Sequence, residues 1–353
     1  MSDNGSKKED KKKVTETRKL VKWGSSETLI MSLPRSWVKK YNLTKESEIS
    51  LIENPDGSLL VSPLSFTSEK PRFEATIEFD EKAMADDYDY IELMITTKYL
   101  DGNDEIHIVK KETKGVEKFP TKFTNNVLKI VQSLLGLEIT SLLSTKIKIV
   151  DIMSIQESNI DVLVKIIADT TIDFFQSLID LIQTGDLSSI ESLLISKRQV
   201  RKYYLRILRE LRKGLLVPAT LSRMGLTAQD TVDLAFFITD VNETAENLEF
   251  MLNTLKGKEV DEEVSQLIIE FMNEVNEEFR KGVDSFLFKV RRDAIDVIKR
   301  VPDLELKKRD IENKLDAMDQ SVQFVHFQIV LDLNSKILDS CKSISLTALR
   351  RIF

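Results

Sequence analysis

Two clusters of basic residues near the start of this 353-residue chain have the types and spacing to neutralise phosphates: Arg18, Lys19 and Lys22, then Arg35, Lys39 and Lys40. Residues 1–22 hold eight Lys and Arg against four acids, a local net charge of +4. Through residue 63 the balance is twelve against nine, or +3, while the whole chain is −7, so the remainder carries −10. Salt screens charges more than about 8 Å apart at physiological strength, so a local basic field on an acidic chain still draws phosphate. Basic side chains on a rigid strand edge release counterions when they meet nucleic acid. Residues 1–13 taken alone read as a solvated, disordered basic tail.

Other chemistry is sparse. The single cysteine, Cys341, excludes a disulfide framework and any CxxC metal site, and it fits a reducing cytoplasm. There is no GxxxxGK[ST] or GxGxxG run, and only two histidines, His107 and His326. No nucleophile–base pairing emerges, so an enzyme is not expected. His107 falls in an alternating apolar run and reads as a plain strand residue. Asp240 and Glu243 read as a solvated acidic face, and no catalytic residue, metal or cofactor is expected. No stretch nears the ~20 apolar residues of a spanning helix, and the charged start lacks the apolar core of a signal peptide. Both point to a cytoplasmic protein without membrane insertion.

The elements that must position the basic residues are short. Thr17 to Trp23 and Thr28 to Leu33 have strand character, with a turn at 24–27 between them. Pro34 suits the start of a helix over Arg35 to Tyr41. Glu48 to Ile52 and Ser58 to Val61 read as two more strands, joined by the turn signal Asn54-Pro55-Asp56-Gly57. About fifty residues in four short strands bury little as a monomer, so pairing with a second copy is expected.

Lys22-Trp23-Gly24-Ser25, Ser32-Leu33-Pro34-Arg35-Ser36-Trp37, Leu43 and a hairpin ending Val61-Ser62-Pro63 together resemble the SpoVT/AbrB (MazE-like) DNA-binding domain. The resemblance covers residues 16–63. It implies a swapped-hairpin β-barrel homodimer that lays Arg18, Lys19, Lys22, Arg35, Lys39 and Lys40 on DNA, with Arg18 and Lys39 at positions that are basic in the family. Glu46-Ser47 replaces the family's glycine–acid pair, and Glu27 lies near a position held there by arginine. The two tryptophans, Trp23 and Trp37, are expected in the barrel core.

Beyond residue 71 the pattern changes twice. Residues 71–152 read as β-α-β-α-β-β, which suggests a small α+β unit of ferredoxin-like type. From Ser154 onward helical periodicity dominates. Thr184-Gly185 stops a first helix, Gly214, Pro218 and Gly225 punctuate a loop after a second, and Thr227 to Asp230 is a capping-box signal for a third. That third helix carries Leu234, Ile238, Val241, Ala245, Leu248, Leu252 and Leu255 as a narrow stripe. A second set follows, with Pro302 expected at a helix break and a last stripe of Val322, Val325, Ile329, Leu333, Ile337, Cys341, Ile344 and Ala348. Cys341 is expected as a buried, unreactive thiol.

Two tandem three-helix bundles behind such a head resemble PhoU and the archaeal PhoU-like phosphate uptake regulators. The residues that carry the resemblance are Gly225-Leu226-Thr227, Glu243-Thr244-Ala245-Glu246-Asn247-Leu248 and Asp339-Ser340-Cys341-Lys342-Ser343-Ile344. The family's metal-binding acid clusters do not carry over, since Thr239, Ser335 and Arg201 stand where acids belong. The expected fold is therefore α+β multidomain. A tail (1–13) precedes a swapped-hairpin barrel (14–65), a small α+β unit (71–152) and two PhoU-like helical repeats (153–257 and 258–353).

The function these parts imply is a DNA-binding transcriptional regulator of phosphate uptake. Its helical repeats would receive the signal through a phosphate-transporter ATPase or a signalling protein. The alternative is an adaptor that regulates such a transporter by protein binding, its barrel serving only to dimerise.

Overall fold

The computed structural model of the chain describes residues 17–24, 27–53, 57–63, 72–85, 87–110, 118–153, 159–185, 189–256, 262–317 and 322–352. The expected basic tail and the turn residues Asn54 to Asp56 lie outside these. The chain divides into two compact units, residues 1–71 and 72–353.

Among the described residues the first unit holds two antiparallel ribbons and one short helix. Strands β1 (Val21–Lys22) and β2 (Leu29–Ile30) pair, with Val21 opposite Ile30. Pro34 caps α1 (Arg35–Lys40), its φ of −60° already suited to the helix that follows. Strands β3 (Ile49–Glu53) and β4 (Leu59–Pro63) form the expected hairpin, closed on its far side by Gly57 at φ +77°. One expectation is corrected here: the first two strands are shorter than their sequence runs. In a single copy the two ribbons form separate sheets among the described residues and Trp23 is 65% exposed, whereas the expected barrel is one of two paired copies. In a single copy Leu20, Val21, Trp23, Leu29 and Met31 are exposed. Trp37 is half-buried, packed edge-on against Tyr41.

The second unit opens with a mixed sheet. Its elements run β5 (Glu74–Phe79), α2 (Glu81–Met84), α3 (Tyr88–Leu100), β6 (Glu105–Lys110), α4 (Thr121–Ser133), β7 (Leu137–Leu142) and β8 (Lys146–Asp151). Spatial order is β5-β6-β8-β7, with β5 and β6 parallel and the other pairs antiparallel. Parallel neighbours require a crossover, which α2 and α3 supply. A ferredoxin-like unit would place another strand between its parallel pair, so that expectation is corrected. Alternation along each strand sends Ile77, Phe79, Ile106, Ile108, Ile147 and Ile149 to one face, where Ile91, Ile95, Phe123 and Ile130 of the helices cover them.

Seven helices complete the unit: α5 (Ile160–Thr184), α6 (Ile190–Leu216), α7 (Pro218–Arg223), α8 (Ala228–Leu255), α9 (Glu262–Phe288), α10 (Arg291–Ala317) and α11 (Val322–Ile352). Gly185 ends α5 in the left-handed conformation at φ +68°. Thr227 and Asp230 bond each other's backbone in a capping box at the start of α8. Helices α5, α6 and α8 pack mutually, as do α9, α10 and α11; the α8–α11 and α5–α9 contacts join the two sets around one continuous core. The whole expected α8 stripe is buried, and so is Cys341, whose thiol burial pushes well above its ordinary pKa.

Three helical details differ from expectation. Gly214 lies within α6, whose helix continues to Leu216, and Pro218 opens the short α7. Pro302 lies inside α10 rather than at a break. It is exposed, so water can serve the Ile298 carbonyl that its missing N–H leaves unpaired. Val325 is 57% exposed because the buried stripe of α11 begins a turn-half later, at Phe327 and Val330. No helix among the described residues is long and apolar enough to cross a membrane.

Candidate functional site

The six basic residues fall in two groups within the first unit. Arg18 and Lys19 lie in the extended segment leading into β1, and Lys22 is on that strand. Arg35, Lys39 and Lys40 are on α1, where Arg35 and Lys39 share a face at one-turn spacing. All six are exposed. Helix α1 has no acid in its first turn, so its positive charge is not offset locally. Lys40 Nζ sits 5.2 Å from the Tyr41 ring centroid, an attraction that steadies its long stem beside the helix end. Glu27, in the turn between β1 and β2, is exposed as well and works against an approaching phosphate.

A second arrangement sits on the open face of the mixed sheet. Register pairs Glu74 with Glu105, and His107, two residues on, points to the same face. Their ligand atoms lie within 4.8 Å of one another, a gathering compatible with a metal ion by separation alone. His107 Nε2 is 3.6 Å from Glu105 and 3.9 Å from Glu74. Yet Glu105 is already paired: Lys148 Nζ lies 2.7 Å from one oxygen and Arg72 3.2 Å from the other. The Lys148 hydrogen bond holds the Glu105 carboxyl below the usual carboxylate range. Two resident cations on a buried carboxylate leave little to attract a third, and the cluster reads as an ion-pair network tying β5, β6 and β8 together. Sequence reasoning missed the company His107 keeps because Glu74 reaches it only through the parallel pairing.

A third feature runs along the seam of α8 and α11. Asp240, Glu243, Glu246 and Asn247 of α8 face Lys336, Asp339, Ser340 and Ser343 of α11 across a hollow of about 520 Å³. Burial pushes Asp240 up to about 6, and the Glu243 charge adds to that rise, while the Ser343 hydroxyl opposes it. The acidic face expected from Asp240 and Glu243 is thus a concave one, joined by Glu246 and Asp339, which the sequence reading did not single out as ligands. Their one-turn spacing on each helix is the signal that could have found them.

No family model, no curated protein and no solved structure matches this chain.

Proposed function

We propose that the chain is a homodimeric DNA-binding regulator of phosphate uptake. In this reading the first unit of two copies closes into a swapped-hairpin, SpoVT/AbrB-like barrel. The helices of the second unit, as two PhoU-like three-helix repeats, take the signal from a phosphate-transporter ATPase or a signalling protein.

One observation carries the DNA-binding part. Six exposed basic side chains share a unit whose apolar residues Leu20, Val21, Trp23, Leu29, Ile30 and Met31 are also exposed. Apolar surface on so small a unit calls for a cover, and a second copy supplies one of matching shape and length. Pairing also doubles the number of cations available to one stretch of duplex. The mutual packing of α5, α6 and α8, and of α9, α10 and α11, supports the tandem-repeat reading of the body.

The test is a mobility-shift titration of the full chain on its own upstream DNA, with Arg18→Ala and Lys39→Ala beside the wild type. Salt-sensitive binding weakened by both substitutions supports the proposal. A dimer that leaves DNA unshifted at low salt favours the adaptor instead.

A further inference from the structure

The acidic hollow on the α8–α11 seam does not end at Asp339 and Ser343. Those two residues also border a second hollow of about 290 Å³, lined by Phe236, Lys342, Leu346 and Arg350. Phe236 is 52% exposed and Leu346 39%, so this end of the seam is an uncovered apolar patch with two cations on its rim. The two helices run antiparallel here: Phe236 faces the C-terminal end of α11, and Asn247 faces Lys336 further back. From Phe236 to Asn247 is about 16 Å along α8, or three turns. The two hollows share Asp339 and Ser343 and together form a groove along the seam, apolar with Lys342 and Arg350 at one end and lined by four carboxylates and Lys336 at the other.

We infer that this groove docks an amphipathic helix of a partner protein, which seats an apolar side chain over Phe236 and Leu346 and extends a lysine or arginine into the acidic hollow. The inference rests on the reading of the helical body as the part that receives a signal from another protein, and it names the surface that does so. Three observations favour a helix as the occupant. An exposed phenylalanine beside an exposed leucine is the kind of anchor site that a partner's apolar residues fill. The rim charges change sign along the seam, so a helix of opposite polarity fits in one direction and is disfavoured in the other. And among the described residues the carboxylates of the acidic hollow do not bring three ligand atoms within 4.8 Å of one another, as a hard cation's converging oxygen shell requires. A side-chain cation, larger and carrying its own hydrogen-bond donors, suits such spread acceptors better.

The test uses the full chain and a designed probe. The probe is a fluorescent alanine-based helix of about 18 residues, long enough to be helical alone, with two leucines on one face and two lysines two turns further on. A control peptide replaces the two lysines by glutamates. The probe is expected to bind at least about ten-fold more tightly than the control, a difference of about 1.4 kcal/mol. Phe236→Asp, and separately Glu243→Lys with Asp339→Lys, should each weaken probe binding by about ten-fold or more. Glu243 and Asp339 are exposed, and unchanged thermal melts will show that the charge-reversed chain is folded. Equal binding of probe and control overturns the inference, as does binding indifferent to the substitutions. Saturable magnesium or manganese binding that Glu243→Lys abolishes, without probe binding, would make the groove a cation site and overturn it too. DNA binding measured on the same variants separates the two proposals: a failed groove with intact DNA binding leaves the regulator standing.

Discussion

Arg206 Nη1 lies 2.8 Å from Asp151 Oδ1, and both side chains are cut off from solvent. The pair joins α6 to the end of β8. Arg209 reaches the other Asp151 oxygen at 2.9 Å and donates to the Tyr99 carbonyl, while Arg206 also donates to the Leu135 carbonyl. These carbonyls belong to the last turns of α3 and to the exit of α4, where helix ends leave acceptors unpaired. Glu210, 2.9 Å from Arg206, and the Lys213–Asp104 pair complete the set. Arg206→Met should therefore cost about 3 kcal/mol or more of unfolding free energy, because it takes the nearest cation from the buried Glu210 and one of two from Asp151. Urea denaturation checks this. Adding Asp151→Asn to that variant should cost less than it does in the wild type, since one partner is already gone.

Gly136 sets a second expectation at the same place. Its φ is +89°, and a Cβ built on it would stand 2.6 Å from Arg206 Nη1 and 2.7 Å from Asp151 Oδ1. Gly185, at φ +68°, has open space around its would-be Cβ. Gly185→Ala should cost only about 1–2 kcal/mol of backbone strain. Gly136→Ala should cost clearly more, as strain and a displaced ion pair combine, and thermal unfolding of the two variants will rank them.

Asp240 gives the chain a titration of unusual sign. Its folded pKa, about 6, lies above the ordinary 3.8, so the folded state holds a proton that the unfolded state has already released. Stability should accordingly fall as pH rises from about 4 to about 6 on account of this group, then level off. Because Asp240 is only partly shielded from solvent, the effect should be on the order of 1 kcal/mol rather than the full shift. Asp240→Asn should remove this slope and raise stability at pH 7, as chemical denaturation at pH 4, 5, 6 and 7 will show.

If the six basic residues meet phosphates, affinity for duplex DNA should fall with salt along a log–log slope near −0.9 per phosphate neutralised. Replacing Lys22 or Lys39 by alanine should flatten the slope by about one each, with little change in sequence preference. A slope that neither substitution alters would assign the contact to other residues.

Trp23 reports on self-association. It is 65% exposed in the single chain, so burial by a second copy should shift its emission to the blue as concentration rises. Leu29→Asp, on the opposite strand of the same ribbon, should abolish that shift and hold the chain monomeric in analytical centrifugation.

The helical part of the fold was legible because its signals are local. Thr227 and Asp230 fix a helix start within one turn, Gly185 fixes an end, and the stripe from Leu234 to Leu255 names the buried face. What the sequence left unread depends on partners distant in the chain. The adjacency of β5 and β6 comes from tertiary packing, and with it the meeting of Glu74, Glu105 and His107. Pro302 reads as a break because local rules see its missing N–H but not the solvent beside it. Of the candidate site, the positions and exposure of Lys22 and Lys39 follow from strand and helix signals. The concavity between Asp240 and Asp339 does not, since it needs the pairing of α8 with α11.

Helix α6 is a shared wall. Val200, Ile207 and Leu211 belong to the helical core, Leu205 belongs to the sheet's core, and Tyr204 touches both. Residues 72–353 therefore offer no clean place to cut: a fragment ending near residue 153 would lose the lid of its own interior, and one beginning there would present two naked guanidinium groups on an oily surface. Melting should run through sheet and helices together as a single event.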